Sequence, residues 1–191
     1  MSTQLNKLIE YANSTVGITE SPMGSNNVIF NTKFYGTPVS GAPYPWCCSY
    51  IWSIFNDVGL SHIFCGGKKT ASCPEVKRWA INNKRLSRTI SNIGDLVLFN
   101  FSEKNGATEN SVAEHIGLLI DRDDNGNFIT IEGNTGGNNA NGGAVMKRTR
   151  YMSNIVAFVT LSDLYCDDAP NIEQQKSEII KDISGLANIL K

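Results

Sequence analysis

"GDLVLFNF", residues 94–101, marks the point at which the chain changes its period. Upstream of it apolar residues recur at helical spacing. From it onward they come in short β-branched or aromatic runs bounded by turn residues. Four more such runs follow, "AEHIGLLID" (113–121), "NFITIEGN" (127–134), "GGAVMKRTR" (142–150) and "NIVAFVTL" (154–161), with "DDNGN" and "GGNNANGG" among the stretches between them. Helices first and strands later, without regular alternation, predict an α+β fold with an antiparallel sheet.

Toward the N-terminus, Pro74 and Glu75 suit the first turn of a helix over about 74–83. "PYPWCCSYIWSIF" (43–55) opens an apolar helix from Trp46 to about Val58, ended by Gly59. Residues 3–15 read as a helix with Leu5, Leu8, Ile9 and Ala12 on one side and Gly17 as its stop. Between these two helices, Ile18 to Tyr44 is rich in Ser, Asn, Gly and Pro and reads as a long, mostly irregular segment of the kind that often carries function.

Toward the C-terminus, "DLYCDDAPNI" (163–172) looks like a domain edge. Beyond it Ile179, Ile183, Leu186 and Leu190 fall at 4-3-4 spacing, an amphipathic helix whose apolar seam needs a partner surface. The chain therefore divides into one domain over 1–162 and a linker with a helix over 163–191. That helix is expected to dock on its own domain or to pair chains into a homo-oligomer.

The 17 basic and 18 acidic residues nearly cancel, which argues against a nucleic-acid partner. No stretch approaches the ~18 consecutive apolar residues of a membrane span, and the N-terminus has no apolar core of the signal-peptide kind. Synthesis in the cytoplasm, with no membrane partner, is the expectation. Five cysteines stand at 47, 48, 65, 73 and 166. An odd number, with two adjacent and no C-x-x-C pair, argues against a disulfide scaffold. With only His62 and His115 beside them, a zinc site is disfavoured too. The thiols are core residues or chemistry.

A cysteine nucleophile needs an imidazole to move the proton and a polar group to orient the ring. His115 interrupts an apolar strand-like run, whereas His62 sits just past a helix end, where capping or surface roles are usual. Cys47 and Cys48 both stand at a helix N-terminus, where unpaired N–H groups and the dipole favour a thiolate. Helical spacing does not separate them, and buried free cysteines are common. Glu132 and Asn134 lie two apart at the end of a strand, so on a regular strand they share a face and either can orient the imidazole.

"PWCCSYIWSIF", "GDLVLF", "AEHIGLLI" and "ITIEGNTGG" follow one another at appropriate gaps. Together they resemble the CHAP family, the cysteine, histidine-dependent amidohydrolases and peptidases of bacteriophage endolysins and bacterial cell-wall hydrolases. The likeness covers roughly residues 5–161. It implies a papain-like α+β fold with N-terminal helices packed on an antiparallel sheet. It also implies Cys47, after Pro45 and Trp46, as the nucleophile, His115 as the base, and Glu132 and Asn134 as the acid and asparagine of the family's "EGN" motif. Cys48 then becomes a packing residue.

The implied activity is hydrolysis of a peptidoglycan amide bond, by an N-acetylmuramoyl-L-alanine amidase or an endopeptidase, with a lean to the amidase. The wall is the partner, reached after release from the host cytoplasm or as a virion component. Trp46, Tyr44, the segment 21–44 and the "TGGNNANGG" loop are expected to wall the groove. Some relatives bind calcium upstream of the nucleophile, but "ESPMGSNNVIFNTKFYG" carries a single acid, Glu20, and "DRDDNG" (121–126) fits a hairpin turn better than a calcium loop. No cofactor or metal is expected. The competing readings are a wall-binding module without turnover and an amidase of small non-wall substrates.

Overall fold

The computed structural model describes residues 1–137, 139–140 (backbone alone) and 142–165. The predicted C-terminal helix and Cys166 lie outside the described residues. Four α-helices come before most of the sheet: α1 (Thr3–Ser14), α2 (Ile29–Tyr35), α3 (Cys47–Asp57) and α4 (Cys73–Asn82). The Ser2 hydroxyl caps α1 by accepting from Leu5 N, and the Ser72 hydroxyl caps α4 by accepting from Glu75 N. Among the described residues, no helix is long and apolar enough to cross a membrane.

The strands are β1 (Leu86–Ser87), β2 (Leu96–Phe99), β3 (His115–Arg122), β4 (Phe128–Gly136), β5 (Asn139–Ala140), β6 (Ala144–Arg150) and β7 (Ile155–Val159). Every described pairing is antiparallel, in the order β1-β7-β2-β3-β4, with β5 and β6 both on the far side of β4. The α+β class with an antiparallel sheet is thus what the chain forms. The "DRDDNG" stretch turns β3 into β4: the Asp123 carboxylate accepts from Asn125 N and Asn127 N, the self-bonding that makes Asp a turn former.

The segment 18–44 is less irregular than its composition predicts, since it contains α2. Seven residues are too few for a readable period, and tertiary contacts hold this helix instead. Phe30 is buried against Trp46 and Tyr50, and the Ser49 hydroxyl of α3 donates to Asn31 Oδ1 at 2.7 Å. The Asn31 amide in turn donates to the carbonyls of Asn26 and Tyr44, tying the segment to the start of α3.

The helices cover one face of the sheet, where Leu98, Ile116, Leu118, Ile131 and Val156 join α1, α3 and α4 in one core. A second cluster of Val97, Phe99, Leu119, Phe128 and Phe158 forms on the other face, as strand alternation requires. The packed body runs on to Tyr165, whose hydroxyl donates to Gly94 O.

Candidate active site

Two glycines let the helix and the strands approach closely enough to make a site. A Cβ on Gly133 would lie 2.5 Å from Tyr50 Cβ and 2.9 Å from the Trp46 ring, so α3 rests directly on the β4 backbone. A Cβ on Gly117 would lie 2.8 Å from Glu132 Cγ, so the absence of a side chain there makes room for that carboxylate between β3 and β4. Cys47, the first residue of α3, is thereby brought to the end of the sheet where β3 begins with His115.

His115 joins the two sides. It and the Cys47 thiol act on each other's charge, and its Nε2 lies 2.9 Å from Glu132 Oε2. All three groups are nearly closed to solvent, with Cys47 7%, His115 1% and Glu132 0% exposed. A buried carboxylate needs full pairing. Glu132 has it: Arg150 Nε donates to Oε1 at 2.8 Å, Arg150 Nη2 to Oε2 at 2.5 Å, and the Thr130 hydroxyl to Oε1 at 2.6 Å. The Arg150 guanidinium lies over the rings of Phe99 and Phe101, which also flank His115.

These contacts set the charge states. Burial works against ionisation of Glu132, but Arg150 and then His115 outweigh it and hold the carboxyl down at about 2. Burial likewise opposes charge on His115, yet its interactions with Cys47 and Glu132 lift the imidazole to about 9. The Cys73 thiol and burial push the Cys47 thiol well up, while His115 pulls it down. An imidazolium clamped between a carboxylate and a sulfur is the form these neighbours favour, and it is the partner that stabilises a thiolate.

Trp46, the N-cap of α3, makes no side-chain cap, so no side chain of its own occupies the N–H groups of the first turn. Those groups and the dipole converge where Cys47 stands. A depression of about 290 Å³ opens between α4 and the segment entering β3, lined by Pro74, Lys77, Ile81, Val112 and Ala113 among others and by none of Cys47, His115 and Glu132. Lys77 holds one wall by donating to the carbonyls of Glu109 and Ser111.

No family model, curated protein or solved structure matches this chain. The site therefore stands on its own geometry.

The structure brings Cys47, His115 and Glu132 together. Between the two orienters left open by strand alternation, it is Glu132 that contacts the imidazole. The β4–β6 register shifts between Glu132 and Thr135, and Asn134 adopts φ 54°, so the regular alternation assumed for the pair fails there. Asn134 is buried two residues on from Glu132. Cys48 is fully buried and its thiol donates to Thr70 O at 3.4 Å, as a packing residue would. His62 is exposed.

Trp46 does not wall a groove. It is 0% exposed, stacked on Phe30, with its indole N–H donating to Glu20 Oε1 at 2.7 Å. Its large apolar ring is worth more in the core than at the surface. Glu20, the single acid of "ESPMGSNNVIFNTKFYG", accepts that bond through Oε1, while its buried Oε2 has no hydrogen-bond partner among the described residues. Tyr44 stays half-buried, edge-on to Tyr35, and the "TGGNNANGG" loop falls partly outside the described residues. Two residues of the site, Arg150 and Cys73, carry no signal in the sequence that singles them out. Among the described residues, no three His, Cys, Asp or Glu side chains are grouped to hold a metal.

Proposed function

We propose that this chain is a cysteine hydrolase of the CHAP type, with a papain-like arrangement, that cleaves an amide bond of bacterial peptidoglycan. The observation that carries the reading is His115 bonded to a carboxylate held by Arg150 and interacting electrostatically with the thiol at a helix N-terminus. The four motifs shared with that family support the substrate class.

In this reading the Cys47 thiolate attacks the scissile carbonyl carbon, and the first-turn N–H groups of α3 receive the developing oxyanion. The His115 imidazolium protonates the departing amine, leaving a thioester on Cys47. Neutral His115 then takes a proton from water, whose oxygen attacks the thioester, and returns that proton to the sulfur as the acid product leaves. Glu132 keeps the ring oriented and its charge compensated through both steps. Of the two bonds such a triad serves, the muramoyl–alanine amide is the one we favour over a stem or bridge peptide bond.

Clearing of purified wall suspensions is the test. Cys47→Ala should reduce clearing to background, while Cys48→Ala should leave it nearly intact. Equal clearing by wild type and Cys47→Ala would sink the hydrolase and leave a binding module. Mass spectra of the released fragments then separate the bonds: new N-terminal alanine means amidase, and new stem or bridge termini mean endopeptidase.

A further inference from the structure

Cys73 takes no part in that chemistry, yet its sulfur lies 3.7 Å from the sulfur of Cys47. The two residues open different helices, each at the first helical position, so two N-termini aim their thiols at one point. At Cys47 the helix start and His115 work against the Cys73 thiol and the burial that push the thiol up, and the thiolate they favour is the form that reacts with oxidants. Cys47 is 7% exposed, the most open of the four described cysteines; Cys65, Cys73 and Cys48 are 3%, 4% and 0% exposed. An oxidant therefore meets Cys47 before the others, with Cys73 already waiting behind it.

We propose that Cys47 and Cys73 form an oxidative modification site: a small hydroperoxide oxidises Cys47, and Cys73 captures the product as a disulfide that reversibly blocks Cys47. The Cys47 thiolate attacks one oxygen of hydrogen peroxide, the O–O bond breaks, and Cys47 becomes a sulfenic acid with hydroxide leaving. The Cys73 sulfur then attacks the Cys47 sulfur. The S–O bond breaks, the S–S bond forms, and the second hydroxide takes up the Cys73 proton. In sum two thiols and one peroxide give one disulfide and two waters, the thiols losing two electrons and the peroxide gaining them. To form the bond the sulfurs close from 3.7 Å to the ~2.05 Å of a disulfide. The capture spares the nucleophile from sulfinic and sulfonic acids, which are not reduced back by thiols.

Cys48 is the competitor, because its thiol and that of Cys73 also act on each other's ionisation. It is fully buried and bonded to Thr70 O, which makes it the slower thiol to be oxidised.

The importance of the lock for wall cleavage rests on the hydrolase reading; the disulfide itself does not. The experiment is read accordingly in two channels. The protein is treated with hydrogen peroxide, blocked with iodoacetamide and digested with trypsin without reductant. Residues 34–68, which hold Cys47, should then appear joined to residues 70–77, which hold Cys73, and dithiothreitol should part them. Cys48→Ala should still give the joined pair, and Cys47→Ala should not.

A pair that survives in Cys47→Ala, or wild type that ends as Cys47 sulfinate with no joined peptide, overturns the proposal. In the second channel, peroxide should abolish clearing of wall suspensions by wild type and dithiothreitol should restore it. With Cys73→Ser, excess peroxide should carry Cys47 past the sulfenic acid to the sulfinate and the loss should be permanent; full recovery of that variant by dithiothreitol after excess peroxide also overturns the proposal. Should no protein clear walls under any condition, the hydrolase reading fails while the joined peptide still decides the site.

Discussion

Among the described residues, two arginine–carboxylate forks with similar distances stand in opposite surroundings. Arg150 grips Glu132 through Nε and Nη2 at 2.8 and 2.5 Å, with side chains 3% and 0% exposed. Arg85 grips Asp163 through Nη1 and Nη2 at 2.7 and 3.0 Å, with side chains 21% and 65% exposed. Distance alone would rank them as equals. Burial separates them: the first pair has no water to fall back on, so losing either partner strands a charge, whereas the second can be solvated at once. The first pair also has a third member, His115, and thereby a role beyond holding the fold.

Arg150→Met tests the buried fork and should have the largest effect. It leaves Glu132 ionised in a closed site, and losses of this kind run to about 3–5 kcal/mol, read as a lower urea midpoint. The double variant Arg150→Met, Glu132→Leu should recover much of that stability while wall clearing stays lost, because the imidazole then has no carboxylate. Full stability in the single variant would mean that the fork matters no more than a surface pair. Clearing by the double variant would mean that Glu132 does not serve the imidazole.

The pH dependence of stability sharpens the same contrast. Glu132 falls from an ordinary 4.5 to about 2 in the fold, so its stabilising contribution is complete above about 4.5 and is lost as pH drops through 2. Each tenfold change in proton affinity is worth ~1.4 kcal/mol, which makes this contribution about 3 kcal/mol. His115 rises from 6.5 to about 9, so its contribution is complete below 6.5 and is lost as pH climbs through 9. Urea midpoints should therefore form a plateau between about 4.5 and 6.5 and decline on both sides. Glu132→Gln should flatten the acid limb most. An acid limb of the same slope in that variant would assign acid sensitivity to other carboxylates.

Much of this contrast is legible in the sequence. The strands after residue 94 announce themselves by β-branched runs between turns, and α1, α3 and α4 by spacing and end signals. His115 stands out because a lone imidazole in an apolar run needs a reason. Arg150 does not, since "MKRTR" offers three cations and only the fold decides which is covered; in β6 Lys147 is exposed, Arg148 half-buried and Arg150 buried. Cys73 is equally hidden, because its partner is 26 residues away and only the meeting of two helix starts brings the sulfurs together. Trp46 misleads in the other direction. An aromatic beside a nucleophile suggests a groove wall, but Phe30, a residue of the helix that composition conceals in the segment 18–44, buries it. Local pattern reports elements and chemistry-bearing residues; which side chain is enclosed depends on neighbours far along the chain.

The exposed fork gives the smallest expected effect and the firmest control. Asp163→Asn keeps the shape of the side chain and a bond to Arg85 while removing the charge, and the guanidinium retains Thr160 O at 3.0 Å. Pairs in such surroundings are worth about 1 kcal/mol or less, and salt screens them. The urea midpoint should hence shift slightly at low ionic strength and less at high, with wall clearing unaffected. A loss approaching that of Arg150→Met would show that the turn at Ser162–Leu164, where Asp163 sits, is held by this pair and not by Tyr165 on Gly94 and Leu161 in the core. Burial would then cease to be what distinguishes the two forks.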